Sequence, residues 1–241
     1  MPEAEYVVAK TTDLTDGQMK PITIDDTKIL LVRLNGTFYA VGSICPHYGA
    51  PLEKGVLCGD RLVCPWHKAC FNVTNGALLE PPALDDLPQF NVRISSNDVF
   101  ISIPEGKPDH CTPVMVEADP QVNSRTFVIL GAGAAGCSAA QTLRQVGFQG
   151  RIVMIGLEDR VPYDRPSLSK QYLAGKKQAD AMPLRSPEFF EQHGIERLNR
   201  QVVTVDATTK SISFADGSSM QYDTLLLATG GQPRTLELSL I

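Results

Sequence analysis

Two kinds of hydrophobic spacing divide the chain. Up to about residue 104, apolar positions come in short runs rich in β-branched and aromatic residues, at 22–24, 29–34, 37–41, 90–94 and 99–103. Such runs, separated by turn signals like Asn35-Gly36 and Ser95-Ser96-Asn97-Asp98, predict strands. No helix-length periodic segment occurs in this half. Residues 45–82 carry Pro and Gly at close intervals and read as a loop-rich insert in the β framework. From Arg125 the spacing changes. Residues 126–130 are continuously apolar, as in a strand buried on both faces. A helix is predicted over 134–146, stopped by Gly147, and a second buried strand over 151–155. Together they make a βαβ unit with a right-handed crossover. A further helix is predicted over 187–193, stopped by Gly194, with strands at 202–205, 211–214 and 224–228 around the turn Asp216-Gly217. The fold class expected is mixed: an all-β domain over 1–104 and an α/β domain over 125–241. Residues 105–124 carry three prolines and read as a semi-rigid linker.

Composition narrows the function classes. A hydrophobic content of 43% and a charged content of 20% are those of a soluble globular protein. A net charge of −5 without a basic run argues against a nucleic-acid partner. No apolar run is long enough for a transmembrane segment. The start, MPEAEYVVAK, has neither the apolar core of a signal peptide nor the Arg-rich character of a transit peptide. Cys58, Cys70, Cys111 and Cys137 lack the spacing of a disulfide framework, so a reducing, cytoplasmic location is expected.

The other two cysteines carry the chemistry. Cys45-Pro46-His47 and Cys64-Pro65-Trp66-His67 each offer one thiolate and one imidazole, sixteen residues apart. Ligand type alone leaves the metal open between iron–sulfur chemistry and zinc. Zinc fingers open with two cysteines and close with two histidines, whereas here the types alternate. The pattern C-x-H, gap, C-x-x-H resembles the Rieske family. That resemblance implies a [2Fe-2S] cluster with Cys45 and Cys64 on one iron and His47 and His67 on the other. It also implies a small cluster-binding subdomain on a β-sandwich-like base.

Gly131-Ala132-Gly133-Ala134-Ala135-Gly136 fits G-x-G-x-x-G and sits where that motif needs to be, after a buried strand and before a helix. The first glycine permits a tight turn, the second lets the backbone approach a pyrophosphate, and the third allows close helix–strand packing. Glu158, with Asp159 as the alternative, follows the second strand, where an acid binds the adenosine ribose. The segment 162–170, P-Y-D-R-P-S-L-S-K, resembles FAD-dependent ferredoxin and rubredoxin reductases and the apoptosis-inducing-factor group. The strand ending in Ala228-Thr229-Gly230 resembles the segment that closes under FAD in the same family. The resemblance implies Gly131, Gly133, Gly136, Glu158, Arg165, Val202, Thr229 and Gly230 as FAD-site residues. It puts Lys170 at the flavin N5 region in a catalytic role, since a cation there stabilises reduced flavin.

These resemblances imply an electron-transfer oxidoreductase, passing electrons from NAD(P)H to FAD, to the cluster and to an acceptor protein. The alternative is a non-catalytic Rieske-type electron carrier or redox sensor, and a third reading is a zinc-stapled interaction module. Several positions depart from the family patterns. Ala50 and Trp66 stand where high-potential Rieske proteins have an extra disulfide, and Ala69 and Phe71 stand where those proteins have hydroxyl donors to cluster sulfur. Fewer donors imply a low potential. Lys68 stands where C-P-W-H-G has glycine, and is strained if the position needs positive φ. Past Gly230 no second glycine fingerprint follows, so a partial chain lacking an NAD(P)H domain is expected. Cys137 reads either as an activated thiol at a helix start or as a small packing residue.

Overall fold

A computed structural model describes residues 3–106, 108–231 and 234, which fall into two compact units divided between Pro113 and Val114. In the first, a six-stranded antiparallel sheet runs in the order β1(Glu3–Lys10), β10(Asp98–Pro104), β9(Gln89–Ser95), β4(Thr37–Gly42), β3(Thr27–Leu34), β2(Met19–Ile24). β4 meets β9 at only two residue pairs, Ala40↔Phe90 and Val41↔Gln89. The two three-stranded halves pack face to face around Ala9, Ile29, Leu31, Phe38, Phe90, Val99 and Ile101. β3 is buried on both sides: Ile29 and Leu31 point into that core, while Leu30 and Val32 point into a second one.

The second core belongs to the segment read as a loop-rich insert. It is a four-stranded antiparallel meander: β5(Val56–Cys58), β6(Arg61–Val63), β7(Cys70–Asn72) and β8(Leu78–Glu80). Strands of three residues are too short to show a period of two, so only their turn residues are visible in the sequence. Leu52, Leu62, Phe71 and Val73 cover the outer face of β3 and β4.

In the second unit, a four-stranded parallel sheet has the order β13(Ile195–Asn199), β12(Arg151–Gly156), β11(Thr126–Leu130), β17(Thr224–Leu227). Helices α1(Ala134–Gln145) and α2(Pro187–Gln192) cover one face through Ile129, Ala140, Ile152, Met154 and Phe190. An antiparallel sheet of β14(Val202–Asp206), β15(Ser211–Phe214) and β16(Ser219–Gln221) covers the other through Val128, Val153, Ile155, Ile212 and Phe214. The expected helices and buried strands are present, with ends shifted by one residue.

Residues between the two folds are held by each in turn. Cys111 bridges Asp86 in the first unit, while Val116 N–H donates to Arg144 O at 3.1 Å and Asp119 N–H to Gln149 O at 2.8 Å in the second. No helix among the described residues is long and apolar enough to cross a membrane.

Candidate metal centre and nucleotide site

The two ligand loops repeat one backbone design. Residues 45–50 are flanked by the bridge Ile44↔Pro51, and residues 64–69 join β6 to β7 beyond the pair Val63↔Cys70. In each, the N–H of the first residue donates to the carbonyl of the last: Cys45 to Ala50 at 2.9 Å, Cys64 to Ala69 at 2.8 Å. In each, the fifth residue is left-handed, Gly49 at φ 74° and Lys68 at φ 69°. The position expected to strain Lys68 does so, at a cost of about 1–2 kcal/mol for a residue with a Cβ.

The side chains break the equivalence. His47 is third in its loop and His67 fourth, and their rings meet at 4.9 Å between centroids with planes at 82°. Cys45 and Cys64 are buried and lie within hydrogen-bond range of each other. Burial pushes the Cys45 thiol up to about 11. The His47 and Tyr48 N–H groups, aimed at the sulfur, act against that rise, and Cys64 adds to it. The site therefore gathers a sulfur pair beside a nitrogen pair. Two thiolates for one iron and two imidazoles for another match a [2Fe-2S] donor set of Rieske type. A single zinc needs its donors around one point. Ala69 and Phe71, both fully buried against this site, bring no hydroxyl to it. Trp66, between Pro65 and His67, is half exposed.

In the second unit the three motif glycines are small for different reasons. At Gly131, φ is 125° and a Cβ would come within 2.0 Å of Ala228 O, where β17 passes the loop. At Gly136 a Cβ would come within 2.0 Å of Gly131 O, so helix and loop pack backbone to backbone. At Gly133 a Cβ would meet no described atom within 4 Å, and φ is an ordinary −96°. Nothing among the described residues requires glycine there. A group approaching from outside does, and α1 begins at this point with no side-chain cap on its free N–H groups. Free N–H groups and the helix dipole favour a phosphate. The residues present thus fit the pyrophosphate of a dinucleotide.

Glu158 and Arg165 are brought together: Arg165 Nη2 donates to Glu158 Oε1 at 2.6 Å, and Tyr163 Oη to Glu158 Oε2 at 2.8 Å. The hydrogen bond to Glu158 raises the Tyr163 phenol, with burial second. Tyr163 lies in the segment 162–170, where the sequence alone marks no role for it. Lys170 is exposed in a short π-helical turn, Leu168–Tyr172. Val202 starts β14 and, half-buried, packs against the apolar residues under the parallel sheet. Thr229 and Gly230 are exposed just past β17. Cys137 is a packing residue, buried among Ile129 and Ala140, and burial pushes its thiol up to about 11. Its activated-thiol alternative does not hold.

Missed altogether was Arg144, fully buried near the end of α1. Its guanidinium donates to the carbonyls of His193 (2.7 Å), Phe148 (2.6 Å), Gly150 (2.9 Å) and Gly194 (2.8 Å). Those groups lie up to fifty residues away, and no sequence signal marks them.

Comparison with known proteins agrees with this division. Residues 4–91 match the Rieske [2Fe-2S] domain, and residues 125–239 match the pyridine nucleotide-disulphide oxidoreductase family. Apoptosis-inducing factor 3 of Homo sapiens is 45% identical over 239 residues, covering 96% of this chain and 39% of that protein. The chain thus spans well under half the length of this relative. The rubredoxin-NAD(+) reductase of Pseudomonas putida is 41% identical over 111 residues, 46% of this chain and 29% of its own length. Among solved structures, the covalent putidaredoxin reductase–putidaredoxin complex is 38% identical with a TM-score of 0.46, over 47% of this chain and 27% of that one. The chain joins a domain of the Rieske [2Fe-2S] family to a domain of the pyridine nucleotide-disulphide oxidoreductase family, and the cofactors of those families are the [2Fe-2S] cluster, FAD and NAD(P)H.

Proposed function

We propose that this chain is part of an electron-transfer oxidoreductase in which NAD(P)H reduces FAD and the Rieske cluster relays single electrons to an acceptor protein. The observation that supports it most is the pairing of donors: two buried thiols and two touching imidazoles from loops of one backbone design. Cys45, His47, Cys64 and His67 would hold the cluster, which carries one electron at a time. Gly131, Gly133 and Gly136 would seat the pyrophosphate, and Thr229 and Gly230 would pack beside it. Bound FAD supplies the exchange between hydride and single electrons. Glu158, held by Arg165 on one oxygen and Tyr163 on the other, would take the adenosine ribose. Lys170, exposed and unburdened by a neighbouring charge among the described ion pairs, is free to offer its ammonium to reduced flavin. Relatives described as ferredoxin and rubredoxin reductases support this direction of electron flow.

The test is Cys64→Ser. The substitution replaces a soft ligand with a hard one and should abolish the visible chromophore of the purified protein, while far-UV circular dichroism of the second unit's helices persists. A normal cluster in Cys64→Ser would refute the ligand assignment.

A further inference from the structure

Lys68 places a cation in the second ligand loop on a left-handed backbone, φ 69°. The equivalent residue of the first loop is Gly49, and both take positive φ. Asp25, Asn35 and Ser96 take positive φ in tight hairpin turns, and a second lysine, Lys210, does so at φ 50° in the turn between β14 and β15. What distinguishes Lys68 is therefore its place in the second ligand loop, beside His67, and not its backbone. A Cβ at Gly49 would meet no described atom within 4 Å, so this loop position is open enough to admit a side chain, though nothing in it rewards one. Lys68 packs on no apolar core. Its Nζ lies 3.4 Å from Pro65 O, folded back over its own loop. Among the described residues no carboxylate pairs with it, whereas Arg61 pairs with Glu80 and Lys10 with Asp98 in the same unit. The result is an uncompensated positive charge one residue from His67 and four from Cys64.

We infer that Lys68 is a potential-setting residue: its ammonium, held over the second ligand loop, favours the reduced form of the centre bound by Cys45, His47, Cys64 and His67. This rests on the Rieske reading proposed above. Reduction adds one electron to the site, with no bond made or broken, so the site becomes more negative by one charge. A nearby cation must favour that state. The device offsets part of what is lost at Ala69 and Phe71, which donate no hydroxyl hydrogen bond to the site.

Redox titration of the intact chain, with dithionite as electron donor and absorbance as the readout, tests this on wild type, Lys68→Gln, Lys68→Arg and Lys68→Gly. Lys68→Gln keeps the strain and removes the charge. It should lower the reduced-to-oxidised ratio at a fixed potential about two- to fivefold, roughly 20–40 mV for one electron. Lys68→Gly should lower it equally and raise the urea midpoint, because it alone relieves the backbone. Lys68→Arg should match wild type. The gap between wild type and Lys68→Gln should shrink at high salt, as screening requires. An unchanged potential in Lys68→Gln, or an equal fall in Lys68→Arg, would overturn the inference. Failure of the underlying Rieske reading looks different: wild type itself would then contain no iron and no acid-labile sulfide.

Discussion

Adding one methyl group at Gly133 or at Gly136 should produce opposite outcomes, and the structure gives the reason. In Gly136→Ala the new Cβ would fall 2.0 Å from Gly131 O and 3.2 Å from the Ile129 side chain. Backbone must move by more than an ångström, and overpacking of that kind costs about 1–3 kcal/mol or more. The better helix propensity of Ala returns about 1 kcal/mol, which leaves a net loss of up to about 2 kcal/mol or more. In Gly133→Ala the methyl meets no described atom and φ is −96°, which any residue adopts. The loss of a glycine N-cap, about 0.5–1 kcal/mol, is offset by a stiffer unfolded chain, about 0.4–1 kcal/mol. Stability should stay within about 0.5 kcal/mol of wild type. The methyl does, however, occupy the space a pyrophosphate would need. The same overpacking cost applied to binding weakens FAD about 5- to 150-fold. Urea unfolding followed by circular dichroism and FAD titration followed by flavin fluorescence measure the two effects separately. An unchanged FAD affinity in Gly133→Ala would refute the placement of the cofactor. So would a destabilisation equal to that of Gly136→Ala.

The potential of the centre should be negative, near −150 mV, at the low end for Rieske sites, because Ala69 and Phe71 supply no hydroxyl donor; a clearly positive value by redox titration would contradict this. Arg144→Met should destabilise the chain by about 3–5 kcal/mol in urea, since four carbonyls of His193, Phe148, Gly150 and Gly194 lose their shared donor inside the fold. His193 should make stability fall in acid. Burial, then the charges of Arg144 and Arg185, lower its pKa below 6.5 in the folded chain, so the unfolded chain binds the proton first and stability drops as pH falls below about 6.5. His193→Gln should flatten that part of the stability–pH profile, and an unchanged profile would show that other groups control it.

What the sequence revealed and what it hid follow from the length of each pattern. β3 and β12 were legible because both faces are buried and four consecutive residues of each are apolar. α1 was legible because Gly136, Cys137 and Ala140 keep a helical spacing between a glycine loop and Gly147. β1 was not. It is paired on one side only, its register shifts between Val7 and Ala9, and Val7 faces solvent, so its apolar residues keep no period of two. β13 escaped for a related reason, since on that sheet edge Ile195 is its only buried residue. The four ligands were readable from type and spacing alone. The shared backbone of the two loops was also written there, as Cys-Pro at both starts and Ala at both ends, but the histidines at different steps disguise it. Arg144 could not be read at all. A charge on a helix looks solvated until segments fifty residues away fold over it.

The account's central claim is that Cys45, Cys64, His47 and His67 bind two irons unequally, sulfur on one and nitrogen on the other. Iron and acid-labile sulfide analysis of protein purified without air, with electron paramagnetic resonance of the reduced protein, addresses it most directly. The account predicts two irons and two sulfides per chain, and a spectrum with nuclear coupling to two histidine nitrogens. One zinc per chain without sulfide, or a cluster without nitrogen coupling, would contradict it.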